Sequence, residues 1–153
     1  LRDTLRQAPL HMRNMKHTLW LAFWASYAVH AQELPNYVCT IEHLQSISAR
    51  NEKVVAMLNR DYLKKEFTVE RRTGFMSGVL NNSYITRPEV IDFGSNENSY
   101  KVVTTLRKNQ GAGAGSNIHA LVINEYDGGP TKPFVFMDNG DIFLGTCVHT
   151  PKY

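Results

Sequence analysis

"PFVFMDNGDIFLGTCV", residues 133–148, holds two apolar runs around one turn signal. Residues 133–137 and 142–148 are rich in aromatic and β-branched side chains, the composition of strands. Between them stands Asp138-Asn139-Gly140-Asp141, and Asn-Gly tolerates the positive φ angles of a type I′ turn. The stretch reads as an antiparallel β-hairpin, and it sets the class expected of the rest.

Residues 99–107 continue the pattern, with Tyr100, Val102, Thr104 and Leu106 on one face and Lys101, Val103, Thr105 and Arg107 on the other. Residues 118–126 form a second such run, so a four-stranded antiparallel meander is expected here. Upstream, residues 37–41 and 67–71 alternate in the same way. Arg72-Thr73-Gly74 reads as a turn into residues 75–78, and residues 84–93 as a strand pair with Pro88 confined to an edge or bend. Residues 51–58 fit a strand or a short helix equally, because the apolar run is too brief for its period to decide. The expectation is an all-β chain with room for one short helix, its seven to eight short strands forming an antiparallel barrel or sandwich.

The N-terminal region is different in kind. "KHTLWLAFWASYAVHAQE", residues 16–33, carries both tryptophans in an apolar run of roughly a dozen residues, whereas a helix needs about 20 to span a bilayer. Met12, Arg13 and Lys16 precede the run, and Val29-His30-Ala31 supplies small or β-branched residues before Gln32. That order is the order of a secretory signal peptide, residues 12–31, with cleavage between Ala31 and Gln32. Residues 1–11 read as a fragment or as a translation begun too far upstream. Residues 32–153 are then the mature chain, a signal-peptide helix having preceded a single β domain. At about 120 residues it is long enough to bury roughly two-thirds of its unfolded surface.

Cleavage changes the charge. Four basic residues and one acidic residue leave, so thirteen of each remain and the formal charge falls from +3 to zero. A basic surface for nucleic acid or anionic membrane is therefore not expected. Only Cys39 and Cys147 carry sulfhydryls, and an even pair in an exported chain is expected to form a disulfide between the first and last strands. Those strands would be neighbours if a barrel closed.

The remaining signals for chemistry are weak. Gln110 to Ser116 is glycine-rich, but it precedes a strand pattern and lacks the Lys-Ser/Thr of a phosphate loop, so it reads as a hairpin loop. His43, His119 and His149 are not at metal-ligand spacing, and no metal or cofactor is expected. His119 and Glu125 would share a face of one strand while standing far apart along it. Ser77 lacks the glycine two positions earlier that a nucleophile elbow needs. Arg71 and Arg72 suit a carboxylate or phosphate by their guanidinium forks, although neighbours on a strand point to opposite faces. Tyr62, Tyr84, Tyr100 and Tyr126 would line a pocket if the barrel were open.

"YVC" at residues 37–39, "FTVERRTGFMSG" at 67–78 and "GTC" at 145–147 resemble the pattern of small exported proteins of Gram-negative bacteria. The resemblance implies an envelope location and brings no catalytic residue with it. The function expected is a periplasmic or secreted, non-enzymatic binding or accessory module whose partner is a small ligand or an envelope protein. The membrane is met only through the signal peptide before cleavage. The alternatives are an envelope hydrolase with an unrecognised site and an interaction subunit of an envelope complex. An enclosed apolar cavity would mark a ligand-binding barrel, and an uncovered apolar patch would mark the interaction subunit.

Overall fold

A computed structural model of the chain describes residues 34–48, 50–81, 87–108 and 115–151. The expected cleavage site at Ala31 and Gln32, Tyr84, and most of the glycine-rich loop lie outside these residues. The described part is built from β1 (Tyr37–Ser46), α1 (Glu52–Tyr62), β2 (Glu66–Val69), β3 (Met76–Gly78), β4 (Glu89–Phe93), β5 (Tyr100–Leu106), β6 (Asn117–Ile123), β7 (Lys132–Asp138) and β8 (Asp141–His149). The all-β expectation holds, and the architecture is one curled antiparallel sheet, a half-barrel.

The strand order is β3-β2-β1-β8-β7-β6-β5-β4. Taken as a circle, this is chain order with a single pairing missing among the described strands, that of β3 with β4. Two meanders, β1–β3 and β4–β8, are joined where β1 slots beside β8. The first and last strands are therefore neighbours, as the cysteines required, but they meet in the middle of the sheet. Cys39 stands opposite Cys147 in the register, and the two form a disulfide that spans 108 residues of chain.

Alternation decides which side chains face inward. Tyr37, Cys39 and Ile41 of β1, Phe67 and Val69 of β2, Tyr100 and Val102 of β5, Leu121 and Ile123 of β6, and Phe134 and Phe136 of β7 all point to one core. The curl brings distant strands together there. Phe67 of β2 packs edge-on against Phe134 of β7 at 5.3 Å between ring centres, and Tyr37 of β1 lies 5.3 Å from Tyr100 of β5. Burying each large apolar side chain contributes about 1.5–3 kcal/mol before the entropy of ordering it is subtracted. Gly145 is where this packing is tightest: the Phe134 ring, the carbonyl of Thr40 and the bulge in β1 between Ile41 and His43 occupy the space a Cβ would need.

The ambiguous run after Asn51 is a helix. Asn51 caps it, its Oδ1 accepting from the Val54 amide, Glu52 lies at its start and Arg60 near its end, charges that suit the helix dipole. Val54, Leu58 and Tyr62 recur every fourth residue and form the stripe that turns toward the sheet, with Tyr62 edge-on to Phe143 at 5.1 Å. The helix end is sewn to β1, because Lys64 donates to the Ile41 carbonyl and Ile41 donates back to Lys65.

Three other expectations are corrected. The β7–β8 turn is not type I′, since Asn139 alone takes a positive φ, 52°. The neighbouring strand β6 holds this geometry: Asn139 donates its amide to the Ile118 carbonyl and accepts from the Ile118 amide through Oδ1, each at 3.0 Å. β6 stops at Ile123, so Glu125 belongs to the following turn and not to a strand shared with His119. Between residues 84 and 93 the described part is a single edge strand, β4, preceded by Pro88 and bulged between Val90 and Asp92. A proline and a bulge are ordinary protections of an edge.

Replacing Cys39 and Cys147 together by alanine is expected to lower stability by about 3–5 kcal/mol, because a loop of this length regains its full chain entropy when opened. Denaturant titration of the oxidised protein against the double variant measures the difference.

Candidate functional site

Phe67, Val69 and Arg71 share one parity, and the parity continues past the end of β2. Arg71 is accordingly turned inward and is only 4% exposed, while Arg72 beside it is exposed. A buried guanidinium demands acceptors on every side. Its Nη1 meets Glu125 Oε1 at 3.2 Å, Nε and Nη2 both donate to the Phe93 carbonyl, and Nη2 also reaches the carbonyl of Gly94. The guanidinium carbon stands 5.3 Å over the Tyr37 ring.

Glu125 is held from the other sides. Tyr37 donates its hydroxyl to Oε2 at 2.9 Å, and His149 Nε2 lies 3.1 Å from both carboxylate oxygens. Gly94 makes the approach feasible: its φ is +70°, and a Cβ there would stand 2.9 Å from the Glu125 Cβ. Around this pair the Arg71 amide donates to Asn36 Oδ1, and the Tyr100 hydroxyl donates to the Arg71 carbonyl. The cluster thus ties the β2–β3 turn to the ends of β1, β4, β5, β6 and β8. It lies at the end of the curled sheet opposite α1, and it bridges from the β2–β3 turn to β4, across the two edges that no strand pairing joins.

Electrostatics follow from the burial. Desolvation pushes the Tyr37 hydroxyl far above the ordinary tyrosine value of 10.0; Arg71 opposes the shift and the Glu125 carboxylate adds to it. Tyr100 is raised for the same first reason, again against Arg71. Arg71 and Glu125 satisfy each other within the fold, so the guanidinium fork that the sequence offers to an outside anion is engaged by the chain's own carboxylate and carbonyls. His149 reaches solvent, at 34% side-chain exposure, and Asn36 is exposed as well.

The other candidates are dispersed. His43 is exposed on β1. His119 is buried at the opposite end of the sheet, its Nε2 2.9 Å from Asp138 Oδ1 and its Nδ1 without a hydrogen-bond partner among the described residues. Among the described residues no three His, Cys, Asp or Glu side chains converge as metal ligands would. The tyrosines do not line one pocket: Tyr100 is core, Tyr62 packs on Phe143 under α1, and Tyr126 is exposed. Ser77 is exposed on β3, beside a shallow 240 Å³ groove bordered by Val38, Glu66 and Thr68. Glu125, Tyr37 and His149 were not paired with Arg71 by sequence. One signal was present for Arg71 itself, a cation at an inward parity, but nothing local marks its carboxylate 54 residues later.

Glu125→Gln should cost about 3–5 kcal/mol in a denaturant titration, because it leaves a buried cation without its counter-charge. Asp61→Asn, which breaks the exposed Arg60–Asp61 pair, should leave stability unchanged. The two tyrosines give a pH dependence of known sign. Their folded pKa values exceed the unfolded value of 10.0, so the unfolded chain loses protons first and stability falls as pH rises above about 10. Denaturant midpoints between pH 8 and pH 11 should show that fall, and Tyr100→Phe should make it shallower.

Comparison with protein-family models, with curated proteins and with solved structures finds no match to this chain, so the roles assigned to these residues rest on their geometry.

Proposed function

We propose that this chain is a small exported domain, periplasmic or secreted, that works without catalysis as a binding or accessory module of the bacterial envelope. The observation that carries the reading is the disulfide between Cys39 and Cys147. Oxidising compartments preserve such bonds and the cytosol reduces them. The signal-peptide order of residues 12–31 and the resemblance to small exported proteins of Gram-negative bacteria support the same location.

Binding is assigned to the outer face. Tyr37, Phe67, Tyr100, Phe134, Phe136 and Phe143 fill the interior of the curl, and Arg71 and Glu125 are engaged with each other at one end of it. On the outside, every outward position of β6, β7 and β8 is apolar except Thr146, and Ile118, Val135, Ile142 and Val148 among them are exposed. An uncovered apolar face favours the interaction subunit over a ligand-binding barrel as the form such a module takes.

Intact mass of the protein recovered by osmotic shock, with and without reduction, tests the reading. A chain beginning at Gln32 that gains about 2 Da on reduction is expected, since one S–S bond takes up two hydrogens. It would contain no tryptophan, and its fluorescence would be that of tyrosine. A cytosolic product with Trp20 and Trp24 attached and both thiols free would refute it.

A further inference from the structure

Net charge does not say how charge is placed. Residues 50–65 hold Arg50, Lys53, Arg60, Lys64 and Lys65 against Glu52 and Asp61, a formal +3. The chain of residues 32–153 balances to zero, so everything in it outside this segment carries −3. The segment is α1 with its two flanks, and all five cations are exposed.

The helix sorts them. Val54, Leu58 and Tyr62 turn toward the sheet, and at about 100° per residue Lys53, Ala56 and Arg60 fall on the opposite, outermost side. Met57 stands beside Lys53 and Arg60 and is 47% exposed. Arg50 precedes the helix, and it borders the same shallow, open depression of 650 Å³ as Lys53 does. Lys64 follows Arg60 just past the helix end. Two acids temper the stripe: Asp61 pairs with Arg60 at 2.7 Å, and Glu52 lies on the flank away from Met57. Asp138 and Asp141 act on the inner side of the helix, where burial first, then Asp138, Asp61 and Asp141, raise the Tyr62 hydroxyl above its ordinary 10.0.

We infer that the outer side of α1 lies on the surface of an anionic membrane, with its cations against lipid phosphates and Met57 at the boundary with the acyl chains. Charge complementarity selects an anionic partner. Met57 selects a membrane among anionic partners, because an apolar side chain amid cations gains where headgroups give way to acyl chains and not against a phosphate backbone. A single-stranded nucleic acid would call for aromatic side chains among the cations, and none stands on this stripe. At 11 residues α1 is too short to cross a bilayer, which takes about 20, so the contact is with the surface. The inference rests on the envelope reading, which puts a membrane within reach of the chain. It departs from the expectation that the membrane is met only through the signal peptide.

Sedimentation with vesicles tests it, using oxidised residues 32–153, which carry the whole described fold. Vesicles of half phosphatidylglycerol and half phosphatidylcholine should bind the protein at about 30 mM salt and release it at about 500 mM, whereas pure phosphatidylcholine should not bind it. Each cation near such a surface is worth about 5-fold, so Lys53→Gln should weaken binding about 5-fold, and Asp61→Asn, which frees Arg60, should strengthen it about 5-fold. Met57→Ala should weaken it about 3-fold. Lys101→Gln makes the same charge change at the far end of the sheet and should weaken it less than about 2-fold. Thermal melting checks that each variant is folded. No binding at low salt overturns the inference. So does a loss in Lys101→Gln equal to that in Lys53→Gln, which would mark net charge alone, or tighter binding to a DNA duplex than to the vesicles at equal phosphate concentration. Export is measured separately by mass: a periplasmic protein that ignores the vesicles sinks this inference alone, and a cytosolic one that binds them sinks only the location.

Discussion

The pairing of β1 with β8 is the contact on which the rest of this structure depends. Within each meander the paired strands are consecutive in the chain, β1 and β2 being joined through α1. Among the described strands only the β1–β8 ladder pairs one meander with the other, and it brings together residues separated by about a hundred positions. Such a contact carries the largest loop-closure cost in the fold. The disulfide falls in this ladder, where it removes that cost from the folding balance by keeping the unfolded chain looped. A bond placed within either meander would have closed a short loop and helped less.

The Arg71 cluster answers the complementary problem. A sheet with one pairing missing has two edges that backbone hydrogen bonds do not hold together. Arg71 reaches from the β2–β3 turn to the carbonyls that end β4, and Glu125 and Tyr37 hold the guanidinium in place from the β6 and β1 sides. A buried ion pair is a weak source of net stability, because desolvation offsets much of the attraction. Its directional bonds are nevertheless demanding: a curl with a different spacing would leave a charge unpaired in the interior. The cluster thus selects one closure of the sheet over others, and its burial also raises the hydroxyl pKa of Tyr37.

The outward positions of β6, β7 and β8 are apolar apart from Thr146, and this is the basis of the proposed binding surface. An antiparallel sheet with one face in water ordinarily alternates apolar with polar residues. Here the inward positions hold large aromatic and aliphatic groups and the outward ones hold smaller, half-exposed apolar groups. The interior is filled by its own side chains, and exposed apolar groups of these strands lie on the outside.

Much of this architecture is legible in the chain, because alternation with a period of two is a local property that each strand carries in its own side chains. The strands of the C-terminal meander, the hairpin at Asn139-Gly140, the turn at Thr73-Gly74 and the cysteine pair could all be read from neighbours a few residues apart. The parity of Phe67 and Val69 continues to Arg71, although the sequence offered that guanidinium to an outside anion. What lay beyond reach were the features settled between distant segments. The run after Asn51 becomes a helix whose Val54-Leu58-Tyr62 stripe turns inward, with Tyr62 packed on Phe143. The turn at Asn139 departs from type I′ because Ile118 binds both its amide and its side chain. Glu125 leaves the strand assigned to it and supplies the counter-charge of Arg71. The sequence by itself determined which side chains face inward and that the two sulfurs would meet. Only the tertiary structure decided which strands are neighbours, where the sheet stays unpaired and which carboxylate satisfies the buried cation, since these depend on the distances that the curl creates between residues remote in the chain.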